Sequence, residues 1–137
     1  MKVLARDDMA TEFMPFWNAV DAGHLSFPVC RTCDRFHWYP LNLCPYCRGQ
    51  DIAWSEVSGP GELYSWTVVR HAFDPEFWDQ IPYIVALVVF PDAPGIRLVT
   101  NLIDVAPEKL SFGIAVTPAF DARNAADDPL RFRIVSA

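Results

Sequence analysis

Apolar residues recur at helical spacing near the start of the chain. Phe13, Phe16, Trp17 and Val20 stand at i, i+3, i+4 and i+7, one stripe of a 3.6-residue period. The pattern predicts a short helix over Thr11–Ala22, opened by Asp8 or Thr11 as cap, with Pro15 in its first turn and Gly23 as its stop. The stripe is aromatic and needs a cover. Either this chain's own sheet supplies it, or a partner does, in which case Phe13, Phe16 and Trp17 are interface anchors.

After Gly23 the period shortens to two. Leu25–Val29 reads as an extended segment, Arg35–Pro40 as a strand turning back at Pro40 and Asn42, and Ile52–Val57 as a further strand. Together they predict a small β-ribbon. Ser58-Gly59-Pro60-Gly61 then breaks the chain. Beyond it come five predicted strands: Glu62–His71, Pro82–Phe90, Ile96–Ile103, Gly113–Phe120 and Leu130–Val135, with one helical turn at Pro107–Leu110. In the first, Tyr64, Trp66 and Val68 share a face. The second is apolar on both faces, so the helix, the ribbon or another chain must lie over it. Five strands with a helical turn between the third and fourth fit an OB-type barrel. The expected fold is mainly β: an N-terminal helical segment (1–24), a small metal-holding ribbon (25–58) and a five-stranded OB-type barrel (59–137).

The chemistry sits in the ribbon. All four cysteines lie there, as Cys30-x-x-Cys33 and Cys44-x-x-Cys47, ten residues apart. A two-residue spacer lets both thiolates of a pair reach one ion, and two such turns complete a tetrahedral sulfur cage. Four thiolates suit zinc, or iron in a rubredoxin-type site. With no thiol left over the site is closed and structural, and a ribbon this small draws its folding energy from the ion. Two disulfides or a redox dithiol fit less well: the N-terminus shows no export signal, and no βαβ pattern flanks either pair. His37, between the pairs, is a spare ligand that four cysteines make unnecessary. Arg31, Arg35 and Arg48 surround the knuckles and offset the net negative charge of a four-thiolate centre.

Composition narrows the function classes. Apolar residues make up 52% and charged residues 20% of the chain, which excludes a disordered chain. Aromatics at 14% exceed what a small core absorbs and point to a permanent partner. The formal charge of −6 lacks the basic footprint of a nucleic-acid binder. The longest apolar run, Ile84–Phe90, is too short to span a bilayer. The expectation is a cytoplasmic protein with no membrane and no nucleic-acid role.

The order of helix, four-cysteine ribbon, Gly-Pro-Gly break and barrel resembles the acyl-CoA-associated family of rubredoxin-like zinc ribbon plus OB-fold, formerly a domain of unknown function. The resemblance spans nearly the whole chain. It is carried by Phe16-Trp17, the two cysteine pairs, the run Gly59-Pro60-Gly61-Glu62-Leu63-Tyr64-Ser65-Trp66-Thr67-Val68, Pro82-Tyr83 and Asn101-Leu102. It implies one structural Zn2+ per chain on Cys30, Cys33, Cys44 and Cys47. It also implies a hetero-oligomer: an accessory subunit of a thiolase-fold enzyme (a thiolase, acyltransferase or aldolase), completing its CoA channel while the partner does the chemistry. The chain departs from the family in its acidic, aromatic loop Asp74-Pro75-Glu76-Phe77-Trp78-Asp79.

No catalytic constellation stands out. His71 with Asp74, and Asp21 with His24, are near in sequence but have no nucleophile motif beside them. At the end of the first barrel strand, Arg70, His71 and Phe73 are candidates for the CoA nucleotide, a guanidinium for phosphate and a ring for adenine. The plain alternative pairs Arg70 with Asp74 or Glu76 and puts Phe73 in the core. Phe77 and Trp78 are candidate partner anchors. The competing functions are a nucleic-acid-binding OB and ribbon protein, and a small stand-alone CoA-thioester enzyme.

Overall fold

The computed structural model describes residues 3–6 and 10–135. The helix α1 (Met14–Asp21) follows a 3-10 turn over Thr11–Phe13. Asp8, one proposed cap, lies outside the described residues. Thr11 belongs to the turn itself, and the chain enters through Ala10 with no side-chain cap. Pro15 sits in the first turn of α1, where its missing N–H costs no helical bond. Phe16 and Trp17 are 0% exposed. They are core residues of this chain and not partner anchors. Phe13 is half-buried, edge-on to Trp38 at 5.5 Å.

The ribbon has two strands, β1 (Leu25–Cys30) and β2 (Ile52–Val57), antiparallel with Leu25 opposite Val57 and Cys30 opposite Ile52. The expected strand over Arg35–Pro40 reduces to one bridge, Phe36 to Val29. The cause is Pro28. Its carbonyl accepts the His37 N–H at 3.1 Å, but with no N–H it returns nothing, and the ladder stops there.

Five strands close a barrel in the order β3-β4-β5-β7-β6: β3 (Gly61–Val69), β4 (Tyr83–Val89), β5 (Arg97–Leu102), β6 (Ala115–Pro118) and β7 (Arg131–Ile134). Only the β5–β7 pair is parallel. A 3-10 turn, Pro107–Lys109, lies between β5 and β6. This is the OB-type barrel that the strand pattern predicts.

Two details differ from plain alternation. A register shift between Leu63 and Ser65 changes the phase of β3. Leu63 is buried and Trp66 and Val68 pack against the core, while Tyr64 faces out, its ring under the Arg97 guanidinium at 4.8 Å. On β4, Ile84, Ala86 and Val88 are buried, but Tyr83, Val85, Leu87 and Val89 stay partly exposed. The helix does not cover that face: α1 packs mainly on β1.

The core ignores the Gly-Pro-Gly break. Leu4, Phe16, Trp17, Leu25, Phe27 and Val57 belong to one apolar cluster with Leu63, Val88, Phe90 and Phe132 of the barrel. Rings relay the contact: Phe16 to Phe27 at 6.0 Å, Phe27 to Phe90 at 5.1 Å, Phe90 to Phe132 at 6.3 Å. The ribbon's core is therefore shared with the barrel and is not chiefly the metal site. A polar clasp closes the same junction. Arg6 and Arg123 both pair with Asp21, at 2.5 and 3.2 Å, and both guanidiniums lie over the Trp17 ring. Among the described residues no helix is long and apolar enough to cross a membrane.

Candidate metal centre and the surfaces around it

The two knuckles are copies of one device. In each, the amide after the second cysteine bonds back to the first cysteine's carbonyl: Asp34 N–H to Cys30 at 2.7 Å, Arg48 N–H to Cys44 at 2.9 Å. Each first cysteine in turn donates its N–H five residues ahead, Cys30 to Arg35 and Cys44 to Gly49, both at 2.9 Å. The tight return puts Asp34 and Arg48 in the left-handed region, φ 58° and 63°, where an L side chain is strained.

These turns aim four sulfurs at one point. All four Sγ atoms lie within 4.8 Å of one another, with Cys30–Cys47 at 3.5 Å and Cys33–Cys44 at 3.6 Å. A tetrahedral Zn–S bond of about 2.3 Å sets sulfurs about 3.8 Å apart, so the cage fits the ion. Backbone amides support the thiolates: Tyr46 N–H to Cys44 Sγ at 3.4 Å, Gly49 N–H to Cys47 Sγ at 3.3 Å. Burial works against the Cys44 thiolate, but the amides of Cys47 and Tyr46 and the neighbouring thiols outweigh it and bring it down to about 6. Burial pushes Cys33 up to about 12, the Arg35 amide opposing. Thiols packed this closely cannot all shed protons unaided, and a divalent cation among them removes the conflict. His37 is no ligand: it lies outside the sulfur cluster, 2% exposed, with neither ring nitrogen hydrogen-bonded. Burial lowers its pKa. Arg31, Arg35 and Arg48 are exposed, and Arg35 stacks on Tyr46 at 4.9 Å.

Residues 17–53 match the family described as "ChsH2, rubredoxin-like zinc ribbon domain", and residues 54–121 match "ChsH2, C-terminal OB-fold domain". The chain belongs to the ChsH2 family. A solved structure described as "Ltp2-ChsH2(DUF35) aldolase" contains a chain 30% identical, with TM-score 0.77; the match covers 94% of this chain and 98% of that one. A DUF35-family protein of unknown function from Sulfolobus solfataricus shares the fold at 15% identity, TM-score 0.68, over 94% of this chain and 89% of that one. Two curated relatives are also similar. A "Probable enoyl-CoA hydratase alpha subunit" from Thermomonospora curvata is 37% identical over 74% of this chain. A "DUF35 domain-containing scaffold protein" from Pyrococcus furiosus is 32% identical over 69%. The match spans 31% of the first relative's length and 59% of the second's.

On this ChsH2-type frame the other candidate residues separate. Arg70, His71 and Phe73 lie beyond the end of β3, all exposed, with His71 and Phe73 edge-to-face at 4.6 Å. Arg70 makes no ion pair with Asp74 or Glu76, and Phe73, 95% exposed, is not in the core. The acidic loop forms a 3-10 turn over Pro75–Gln80, capped by Asp74 accepting from the Glu76 N–H. Trp78 is pinned to it by an indole N–H bond to the Ala72 carbonyl at 3.1 Å, yet stays 60% exposed.

That turn walls a groove of about 990 Å3, running past the start of β4 and the end of β5 to Arg131. The candidate CoA residues do not line it. Its polar members are Glu76, Gln80, Asn101, Asp104 and Arg131, and sequence reasoning offered neither Asn101 nor Arg131 as a site residue. The available signal was an amide in an otherwise apolar strand segment, Asn101-Leu102-Ile103.

Proposed function

We propose that the chain is a non-catalytic accessory subunit. It docks on a thiolase-fold enzyme acting on acyl-CoA thioesters, completes that enzyme's CoA-binding channel and stabilises the assembly. Its own ion is one structural Zn2+, held by Cys30, Cys33, Cys44 and Cys47. The observation that carries the reading is the surface. A half-covered apolar sheet face on β4 is accompanied by Phe73, Trp78 and Phe112, exposed by 95, 60 and 78%. Large apolar side chains left outside the core are what an interface uses, and rigid aromatic side chains are its usual anchors. The names of the relatives support the same reading, since one is a scaffold, one a subunit and one half of a two-component aldolase.

In this arrangement Phe77 and Trp78 anchor the partner. Arg70, His71 and Phe73 form the edge that meets the CoA nucleotide, the guanidinium toward phosphate and the Phe73 ring toward adenine. The zinc, when bound, fixes the knuckle geometry and supplies no reacting group. The test is co-expression with a thiolase-fold protein encoded beside it. The two are expected to co-purify, with thioester turnover only in the complex. Thioester turnover by the zinc-loaded chain alone would reverse the assignment.

A further inference from the structure

The ribbon ends in an open strand edge whose phase its hydrogen bonds fix. The Arg31 N–H donates to the Asp51 carbonyl at 2.9 Å. From that pair, antiparallel alternation points the amides and carbonyls of Ala53, Ser55 and Val57 at β1, and those of Trp54 and Glu56 away from it. Pro28 agrees: opposite Trp54, it has no N–H to give, and its carbonyl turns to His37 on the other side of β1. Among the described residues the sheet has no third strand beyond β2, and no backbone group bonds to Trp54 or Glu56. The register runs from Leu25–Val57 to Cys30–Ile52 without a bulge, and β2 carries no proline and no lysine. Most devices that blunt a strand edge are therefore missing. At the far end a hollow of about 450 Å3 lies between Glu56 and Val57 and the β6 residues Thr117 and Pro118.

The surroundings of this edge select its occupant. Ile52 and Trp54 line a groove of about 280 Å3, walled by Pro15, Pro28 and Leu41. Among the described residues its one charged member is Glu12, which is exposed. Asp51 and Glu56 stand exposed at the two ends of the strand, and none of the three carboxylates sits in an ion pair among the described residues. Arg31 lies on the β1 side of Asp51. A second copy would bring the same carboxylates onto one seam, on a chain of formal charge −6. A basic strand would neutralise them. On a third strand, the residue opposite Trp54 projects to the groove face. A Lys or Arg there lays its aliphatic stem on the apolar wall, with its cation at Glu12 and over the Trp54 ring. We infer that the open edge of β2 takes up an extended basic segment of the partner enzyme as a third ribbon strand. The N–H and C=O groups of Trp54 and Glu56 make the ladder, and alternate Lys or Arg side chains meet Glu12 and Glu56. Strand addition draws affinity from main-chain bonds and specificity from the pockets that alternate side chains enter. The inference rests on the accessory-subunit reading for the source of the segment, while the edge, the groove and the charges belong to this chain.

The test uses the full zinc-loaded chain and three peptides: acetyl-Lys-Val-Lys-Val-Lys-amide, the same with Glu for Lys, and the lysine peptide N-methylated at each lysine's backbone nitrogen. Binding and amide exchange are followed by 1H–15N spectra. In the free chain the Trp54 and Glu56 amides should exchange with solvent at least tenfold faster than those of Ala53, Ser55 and Val57. The lysine peptide should shift the Trp54 and Glu56 amides and slow their exchange at least tenfold at saturation. The glutamate and N-methyl peptides should each bind at least tenfold more weakly, the first for want of charge match and the second for want of a ladder at unchanged charge. Glu12→Gln combined with Glu56→Gln should weaken the lysine peptide at least threefold and leave the thermal midpoint unchanged, because both carboxylates are exposed. Protection of Trp54 and Glu56 already in the free chain, no binding at millimolar peptide, equal binding of either control, full affinity in the double variant, or shifts confined to another face would each overturn the edge assignment. Protection that grows with the concentration of the chain alone would overturn it too, by making a second copy the occupant. Co-purification with the thiolase-fold partner is scored separately, so a failed edge leaves the subunit reading standing and a failed partner leaves the peptide result readable.

Discussion

At the residue scale, backbone geometry decides more than side-chain class. Gly61 opens β3 where a Cβ would stand 2.5 Å from Val88 Cγ1 and 3.1 Å from a Phe90 ring carbon. Neither neighbour can retreat from a filled core. Gly61→Ala is expected to cost about 1–3 kcal/mol, read as a lower denaturant midpoint. Arg48 has the opposite situation, an exposed side chain on a left-handed backbone. Arg48→Gly should relieve about 1 kcal/mol of strain and raise the melting temperature of the zinc-loaded protein. The Gly-Pro-Gly run was visible in the sequence as a break, but the reason for its last glycine is a contact with β4. No local pattern reports that.

At the element scale, the knuckles and the α1 junction are held by different forces and should fail separately. Zinc removal by a chelator should strip hydrogen-exchange protection from the amides between Cys30 and Asp51, while β3–β7 keep theirs, because Phe27 and Val57 anchor β1 and β2 in the shared core. Loss of the whole barrel on chelation would contradict this. The junction responds to acid. The Arg6 bond, opposed by some burial and joined by Arg123, holds the Asp21 carboxyl below its ordinary 3.8. A folded-state pKa below the unfolded one adds stability that is present above pH 3.8 and is lost as the pH falls through the folded value. Asp21→Asn should therefore lower the midpoint at neutral pH by up to about 1 kcal/mol and flatten the acid limb of the pH–stability curve. The helix and the cysteine knuckles were legible because periodicity and spacing are local. The missing ribbon strand was not, since it turns on which way Pro28 points.

At the scale of the whole molecule, apolar supply exceeds internal demand. The sequence announces this in the second barrel strand, apolar on both faces, and in its aromatic content. It does not reveal that α1 would go to β1 and leave β4 half-covered. The bulge after Leu63 turned Tyr64 outward, off the face it was expected to share with Trp66 and Val68, and of the two covers open to the helix stripe the shared core takes Phe16 and Trp17. The proposed partner surface therefore lies on the 70–82 loop and the sheet, and not on the helix, whose Phe16 and Trp17 are buried. Replacing Phe73 and Trp78 together by Ser should improve the solubility of the chain expressed alone and reduce co-purification with its partner at least tenfold. Thermal stability should change little, because neither ring is buried. A large loss of stability would show that the loop rings serve this fold instead.

The ring relay from Phe16 through Phe27 and Phe90 to Phe132 also limits how such proteins can be recombined. A graft that swaps the metal-bearing third between relatives, cut at the convenient glycines, would mismatch a stack whose members come from both sides of the cut. Viable hybrids should therefore be those that inherit all four phenylalanines, with Trp38, from a single parent.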